Sequence, residues 1–201
     1  MTKSSIAQQT DNVQNGWHGH LNLVYANRSG ATQIIHNQMQ APLKVQRPFY
    51  PEGKEVCHSV ILHTAGGVVG GDRLSLNFHL QANTKALITT AAAGKIYRSS
   101  GQLAQQNIDI QVDSGANLEW LPQETIVFEG AMSRQDLRVE LAPQASILLW
   151  EILALDALLE AKNSCLENGD RTPKFGSKTA LCGLIDNRSK AAKKCSKVLP
   201  A

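Results

Sequence analysis

The stretch Arg73-Leu74-Ser75-Leu76-Asn77-Phe78-His79-Leu80-Gln81 carries the cleanest period of two in the chain. In an extended backbone Leu74, Leu76, Phe78 and Leu80 share one face, while Ser75, Asn77 and His79 share the other. This is a strand with one dry side and one wet side. On its N-terminal side, Trp17 to Ala26, Thr32 to His36, Leu43 to Gln46 and the β-branched run Val56 to His63 read as strands. Val56 to His63 suits burial on both faces. On its C-terminal side, Lys85 to Thr90, Asn107 to Val112, Ala116 to Leu121, Thr125 to Phe128 and Leu137 to Leu141 continue the pattern. Asn27-Arg28-Ser29-Gly30, Asp113-Ser114-Gly115 and Glu129-Gly130 supply turns between them. Only Ala145 to Leu155 reads equally as strand or helix, because its apolar run lacks a clean period. Many short strands and few helices predict a mainly β fold of packed antiparallel sheets. Periodicity alone does not choose between a sandwich and a solenoid.

A chain of 201 residues can bury one sizeable core. No apolar run approaches the roughly 20 residues of a membrane helix, and the polar start, Met1 to Gly16, has no hydrophobic signal-peptide core. The expectation is a cytoplasmic protein with no membrane partner. Cys57 is the only cysteine before residue 165, and a lone thiol in a reducing compartment is a small buried hydrophobe. The net charge of +3 is unevenly placed. Met1 to Leu155 holds 11 Lys and Arg against 12 Asp and Glu; Asp156 to Ala201 holds 9 against 5, with three of the four cysteines. A basic tail can serve nucleic acid, but no nucleic-acid partner is expected here, for the reason given below.

The densest local signal is His63-Thr64-Ala65-Gly66-Gly67-Val68-Val69-Gly70-Gly71-Asp72-Arg73. Two glycine pairs this close mark a loop that needs positive φ or close backbone approach. Gly66 and Gly71 have phosphate-loop spacing, but Asp72 stands where a lysine would meet the phosphates, which excludes a nucleotide. Cys57, Ser59, Ile61 and His63 fall on one face of their strand and His58 on the other. No Cys-x-x-Cys or His-Glu-x-x-His spacing occurs, so a closed zinc-type site is not expected. Weak, open contacts of histidine and carboxylate to a metal such as nickel stay compatible with the residues. Gly-x-Ser-x-Gly is absent, and no nucleophile, base and acid announce themselves. Glu119, Glu124 and Glu129 leave a hydrolytic or ligand-binding alternative, which requires two of them to face each other across an open cleft.

Four blocks in order resemble the UreD (UreH) family of urease accessory proteins. They are Pro42 to Gly53 (PLKVQRPFYPEG), His63 to Leu74 (HTAGGVVGGDRL), Thr89 to Arg98 (TTAAAGKIYR) and Leu118 to Ala131 (LEWLPQETIVFEGA). The resemblance covers Trp17 to about Leu155. It implies a β-dominated, non-catalytic chaperone that works with UreF and the GTPase UreG on apo-urease. No cofactor is tightly bound; nickel is handled transiently, along an internal tunnel. Within the family motifs His63, Gly66, Gly67, Gly70, Gly71, Asp72 and Arg73 form the signature loop. Asp72 and Glu124, with Cys57 and His63, are the expected polar groups of a nickel path. A turn-capping role for Asp72, hydrogen-bonded to nearby backbone N–H groups, is the competing expectation.

After Trp150-Glu151-Ile152-Leu153-Ala154-Leu155 the family pattern continues Gly-Arg-Pro-Ala-Arg-Gly-Glu, whereas this chain reads Asp156-Ala157-Leu158-Leu159-Glu160-Ala161-Lys162-Asn163-Ser164. The codons GAC GCC CTG CTA GAG GCG AAA AAT TC encode the observed residues. With one G restored in front, the same letters encode Gly-Arg-Pro-Ala-Arg-Gly-Glu-Lys-Phe. The expected organisation is therefore a flexible polar stretch at 1–16, a UreD-like β domain at 17–155 and an out-of-frame tail at 156–201. On that reading the tail's basic charge and three cysteines are by-products, and the expected product is truncated and inactive.

Overall fold

In the computed structural model, residues 16–155, 179–186 and 193–199 are described. The polar start up to residue 15 and most of the tail lie outside them. No helix occurs among the described residues. The strands are β1 (His18–Arg28), β2 (Ala31–Gln40), β3 (Leu43–Val45), β4 (Val56–His63), β5 (Arg73–Leu80), β6 (Lys85–Thr90) and β7 (Gly94–Ile96). They continue as β8 (Ala104–Val112), β9 (Asn117–Trp120), β10 (Thr125–Val127), β11 (Ser133–Leu141), β12 (Ser146–Leu155), β13 (Thr179–Asp186) and β14 (Lys193–Leu199).

These strands form two facing sheets. The first has the order β14-β11-β8-β5-β1-β2; the second runs β3-β4-β6-β9-β12-β10-β7, with β13 also paired to β12. From β4 onward the chain passes from one sheet to the other and back, adding a strand to each at every pass. The result is a β-solenoid of about three turns.

The mainly β expectation holds, and Ala145 to Leu155 resolves as strand β12. The strand pairing corrects the expectation of antiparallel sheets. Along the solenoid β1, β5, β8 and β11 are mutually parallel, as are β4, β6, β9 and β12. Among the named strands, antiparallel pairing occurs at β1–β2, at β3–β4 and where the two tail strands pair. Alternating dry and wet positions usually mark antiparallel sheets, because parallel sheets are normally covered on both faces by crossover helices. Here the crossover between parallel neighbours is a strand of the opposite sheet. Each strand therefore keeps one wet face.

In-register stacking builds the core in rows. Leu21, Leu76, Ile108 and Leu137 lie side by side, as do Leu23, Phe78, Ile110 and Val139, and then Tyr25, Leu80, Val112 and Leu141. Facing them from the second sheet are Cys57, Ala86, Leu118 and Ile147, then Ser59, Ile88, Trp120 and Leu149. All these side chains are buried. The Tyr25 hydroxyl donates across the gap to Ser59 Oγ at 2.8 Å, which pairs the two buried hydroxyls with each other. The Phe78 and Trp120 rings meet at 5.4 Å between centroids.

Candidate functional site

One row further along, the interior changes character. The inward positions next to Gly19 and Leu74 are Gln106 and Gln135. On the opposite wall Ile61 is followed in register by Thr90. Short and polar side chains cannot fill the space that leucine and phenylalanine fill elsewhere. A cavity of about 550 Å³ opens between the sheets, and Gln106, Gln135, Thr90, Trp120, Glu151 and His63 are among the residues that line it. Its volume is that of a small-molecule site.

Three loops at one corner of the solenoid contribute to its walls, and they carry three of the four sequence blocks. The first is the His63 loop, whose Gly66, Gly67 and Val68 line the cavity. A turn closed by Gly66 N–H on the His63 carbonyl (3.1 Å) starts it, and Gly66 has φ +75°, a conformation open to glycine at no steric cost. Val68 then pairs like a strand residue with the segment at Ile96, through Val68 N to Lys95 O (2.8 Å) and Tyr97 N to Val68 O (2.9 Å). A Cβ on Gly67 would run into the Tyr97 ring, so any larger residue there requires the ring to shift. The second loop is Thr90 to Ile96, tied to the third where Gly94 N–H donates to the Glu124 carbonyl (2.8 Å) and Gln123 N–H to Thr90 Oγ1 (3.0 Å). The third loop is Leu121 to Glu124, between β9 and β10, and the Trp150 indole N–H holds it by its Pro122 carbonyl at 2.9 Å.

His63 sits in this wall half-buried, and both ring nitrogens are buried without a hydrogen-bond partner among the described residues. Burial pulls its pKa below the ordinary histidine value, with the nearby Asp72 charge opposing the shift in part. The ring is thus held neutral, with a lone pair available. Trp120 likewise buries an indole N–H that lacks a partner. Deeper in, Gln135 Nε2 donates to Glu151 Oε1. Orphaned buried polar atoms beside a hollow are unusual, and mark a place where water or a ligand completes the bonding.

The other expected site residues lie elsewhere. Asp72 is fully buried and accepts two backbone N–H groups, Trp17 at 2.8 Å and Val69 at 2.9 Å. Its carboxylate is spent on pinning the signature loop to the start of β1 and does not line the cavity. Gly70 and Gly71 give room to Ser99 and Gln102, and Arg73 is exposed on β5. Cys57 is buried near the opposite end of β4 from His63, with its thiol beside Ser59. Burial pushes that thiol's pKa up, with hydrogen bonding to Tyr50 and Ser59 opposing the shift in part, which keeps it unreactive. Glu124 gives its backbone carbonyl to Gly94 and is not among the residues that line the cavity. The four residues expected along a metal path are therefore not gathered, and no group of three or more His, Cys, Asp or Glu positioned for a metal occurs among the described residues. Glu119 alternates outward from buried Leu118 and Trp120, and Glu129 pairs with Arg98 at 3.8 Å. None of the three glutamates lines the cavity, so the facing pair that a hydrolytic site requires does not form there.

Sequence reasoning missed Gln106, Gln135, Trp120 and Glu151 as site residues. The signal was present for Gln106 and Gln135, since each is polar where the alternation of its strand calls for an apolar side chain. Both fall just before the stretches, Asn107 to Val112 and Leu137 to Leu141, in which the strands are legible from periodicity.

The fold and cavity define a mainly β solenoid module that surrounds an internal, partly polar compartment. The family model described as UreD urease accessory protein matches residues 18–158, and the chain belongs to that family. It is 72% identical over 144 residues to the urease accessory protein UreD of Nostoc sp., covering 72% of this chain and 52% of the relative. Against the same-named protein of Trichormus variabilis it is 75% identical over 137 residues, 68% of this chain and 49% of the relative. Against that of Pseudomonas entomophila the figures are 45% over 153 residues, 75% and 55%. The chain spans about half the length of the curated relatives it matches.

Proposed function

We propose that this chain carries the cavity-forming part of a urease maturation factor, a non-catalytic protein that helps nickel reach apo-urease in a complex with UreF and the GTPase UreG. The observation that carries this reading is the convergence of three family blocks on one cavity wall, with the neutral His63 ring facing unpartnered beside it. Nickel is cargo here and not a resident cofactor. Imidazole is a good nickel ligand, while a single histidine with amide neighbours holds an ion loosely enough to release it. His63 offers nitrogen; Glu151 and the amides of Gln106 and Gln135 offer oxygen along the same compartment. Asp72 supports the path by positioning the loop that presents His63. No helix among the described residues is long and apolar enough to cross a membrane, and the reading places the protein in the cytoplasm with urease.

Residues 156–201 are proposed to be translated out of frame, so that the chain as it stands is inactive in urease maturation. The support is the end of the family match at residue 158 and the codon string that restores the family pattern after Leu155. The gene's nucleotide sequence tests it directly: codons that cannot encode Gly-Arg-Pro-Ala-Arg-Gly-Glu in the neighbouring frame end the idea. For the function itself, a frame-corrected chain is expressed with urease and the remaining accessory proteins. The expected result is co-purification with UreF and active, nickel-loaded urease, with nickel loading lowered by His63→Ala. A frame-corrected chain that neither binds UreF nor raises urease nickel content would sink it.

A further inference from the structure

One of the four family blocks has no part in the cavity wall beyond a single side chain. Of residues 42–53 only Leu43 lines the cavity. The rest of this block builds the start of the solenoid, where the edge strands of the two sheets lie side by side. There β2 ends the first sheet, and β3 with the segment running on to Phe49 ends the second. The two are tied where Val45 N–H donates to Met39 Sδ at 3.2 Å and Thr32 N–H to the Lys54 carbonyl at 3.0 Å.

This end holds apolar side chains outward on ordered backbone. Phe49 is 46% exposed and Tyr50 38%. Phe49 exchanges both backbone hydrogen bonds with His58, at 3.2 and 2.9 Å, and the two rings lie 5.3 Å apart. Tyr50 begins a turn closed by Gly53 N–H on its carbonyl at 3.2 Å, and its hydroxyl hydrogen-bonds the buried Cys57 thiol. Beside them on β2, Met39 is exposed, as is Ile35, which the bulge in the β1–β2 register skips. A bulge re-aims the side chain it carries. Four of the eight exposed large apolar side chains among the described residues therefore belong to this end. Arg47 is exposed two residues before Phe49, and aromatic rings with arginine are the residues that anchor protein interfaces.

The charges here are one-sided. Glu52 is engaged with His58 Nε2 at 2.7 Å and Glu55 with Lys85 Nζ at 3.2 Å. Lys44, Arg47 and Lys54 are exposed and make no ion pair among the described residues. Residues 1–155 hold 11 Lys and Arg against 12 Asp and Glu, so three unpaired cations at one end are a local excess. The ten residues of β2 include no Lys, Arg, Asp or Glu, although long edge strands are normally guarded by such charges.

We propose that β2 and residues 44–54 form a docking surface for an extended, acidic segment of a partner protein. Its carboxylates meet Lys44, Arg47 and Lys54, its apolar side chains pack on Phe49 and Tyr50, and its backbone lies along the uncharged edge of β2. Charge complementarity selects an acidic occupant, and it disfavours a second copy of this chain, which would bring the same cations to the contact. The choice of probes below rests on the urease-maturation reading. The surface lies away from the His63 wall, and its test involves no nickel.

The test immobilises the full 201-residue chain and measures binding of purified apo-urease and purified UreF, each alone, with hydrogen exchange on the complex. The expected result is binding of one of them, with protection gained at 33–40 and 44–54. The double variant Arg47→Glu, Lys54→Glu alters two exposed side chains that hold nothing in the fold. It is expected to weaken binding about tenfold at low salt and to flatten the salt dependence seen with the unaltered chain. Phe49→Ser is expected to weaken binding by about the same factor at every salt concentration. Arg138→Glu, on the outer face of the first sheet, is expected to change neither. Binding of neither protein overturns the proposal, as does binding that the double variant and Phe49→Ser both leave intact. Protection gained elsewhere, or equally tight binding of single-stranded DNA to this surface, overturns it too. Failure here leaves the nickel reading standing, since that is tested by nickel loading with the frame-corrected chain.

Discussion

The two ends of the solenoid interior are built from the same strands yet behave differently. At one end Tyr25, Leu80, Val112 and Leu141 face the second sheet in a filled stack, and the polar pair Tyr25–Ser59 is internally satisfied. Three rows away along β5, β8 and β11, the inward row reads Leu74, Gln106, Gln135, and the sheets enclose a cavity with orphaned nitrogens on His63 and Trp120. Burial of apolar area stabilises the first end. The second gives up that stabilisation, because a partly filled, partly polar space loses packing contacts. The proposed passage of nickel needs such a space, and the filled end supplies the rigidity that holds it open.

Substitutions can break that contrast from either side. The largest loss is expected from Phe78→Ala in the filled half, about 4 kcal/mol of unfolding free energy, measured by denaturant titration. Asp72→Ala is expected to cost about 3 kcal/mol, because two backbone N–H groups lose a buried charged acceptor. Thermal unfolding and loss of UreF binding in the frame-corrected chain report it together. Gly67→Ala drives a methyl into the Tyr97 ring and is expected to cost about 2 kcal/mol, with hydrogen-exchange loosening confined to 63–71 and 94–99. In the hollow half, Gln106→Leu is expected to change stability by less than about 1 kcal/mol, while lowering nickel loading of urease by the frame-corrected chain. A stability loss there as large as that of Phe78→Ala would erase the distinction between the two ends.

The smallest effect is in pH dependence. The fold holds His63 neutral, with its pKa below the ordinary histidine value. The unfolded chain takes up the proton first as pH falls below about 6.5. Stability is therefore fully present above that pH and declines below it, through the window down to the lowered folded-state pKa. His63→Gln is expected to flatten the difference in melting temperature between pH 7.5 and pH 5.5. An unchanged slope would place the ring in water rather than in the cavity wall.

Much of the fold was legible in advance. The alternation in Arg73 to Gln81 located β5 and its dry face, and β4, β6 and β9 fall within two residues of the expected segments. The short β7 was missed, since three residues of Gly94–Ile96 carry no period. Parallel pairing was not legible, because alternation reports that one face is wet and says nothing of which way the neighbour runs. At the site, the glycine pairs and His63 announced a constrained loop, and Asp72 announced a turn cap as readily as a metal ligand. The structure gives Asp72 the cap, since both carboxylate oxygens accept backbone N–H groups.

From the sequence alone follow the β class, the dry face of each clear strand, the need for glycine in the signature loop and the family of the segment ending near Leu155. These are local properties, set by side-chain alternation, backbone sterics and motif order. The parallel solenoid, the cavity, the placing of Cys57 away from His63 and the commitment of the Asp72 carboxylate to backbone N–H groups were decided only by tertiary structure. Each depends on which distant strands lie in register, and registry arises from packing whole rows against one another, which no single segment encodes.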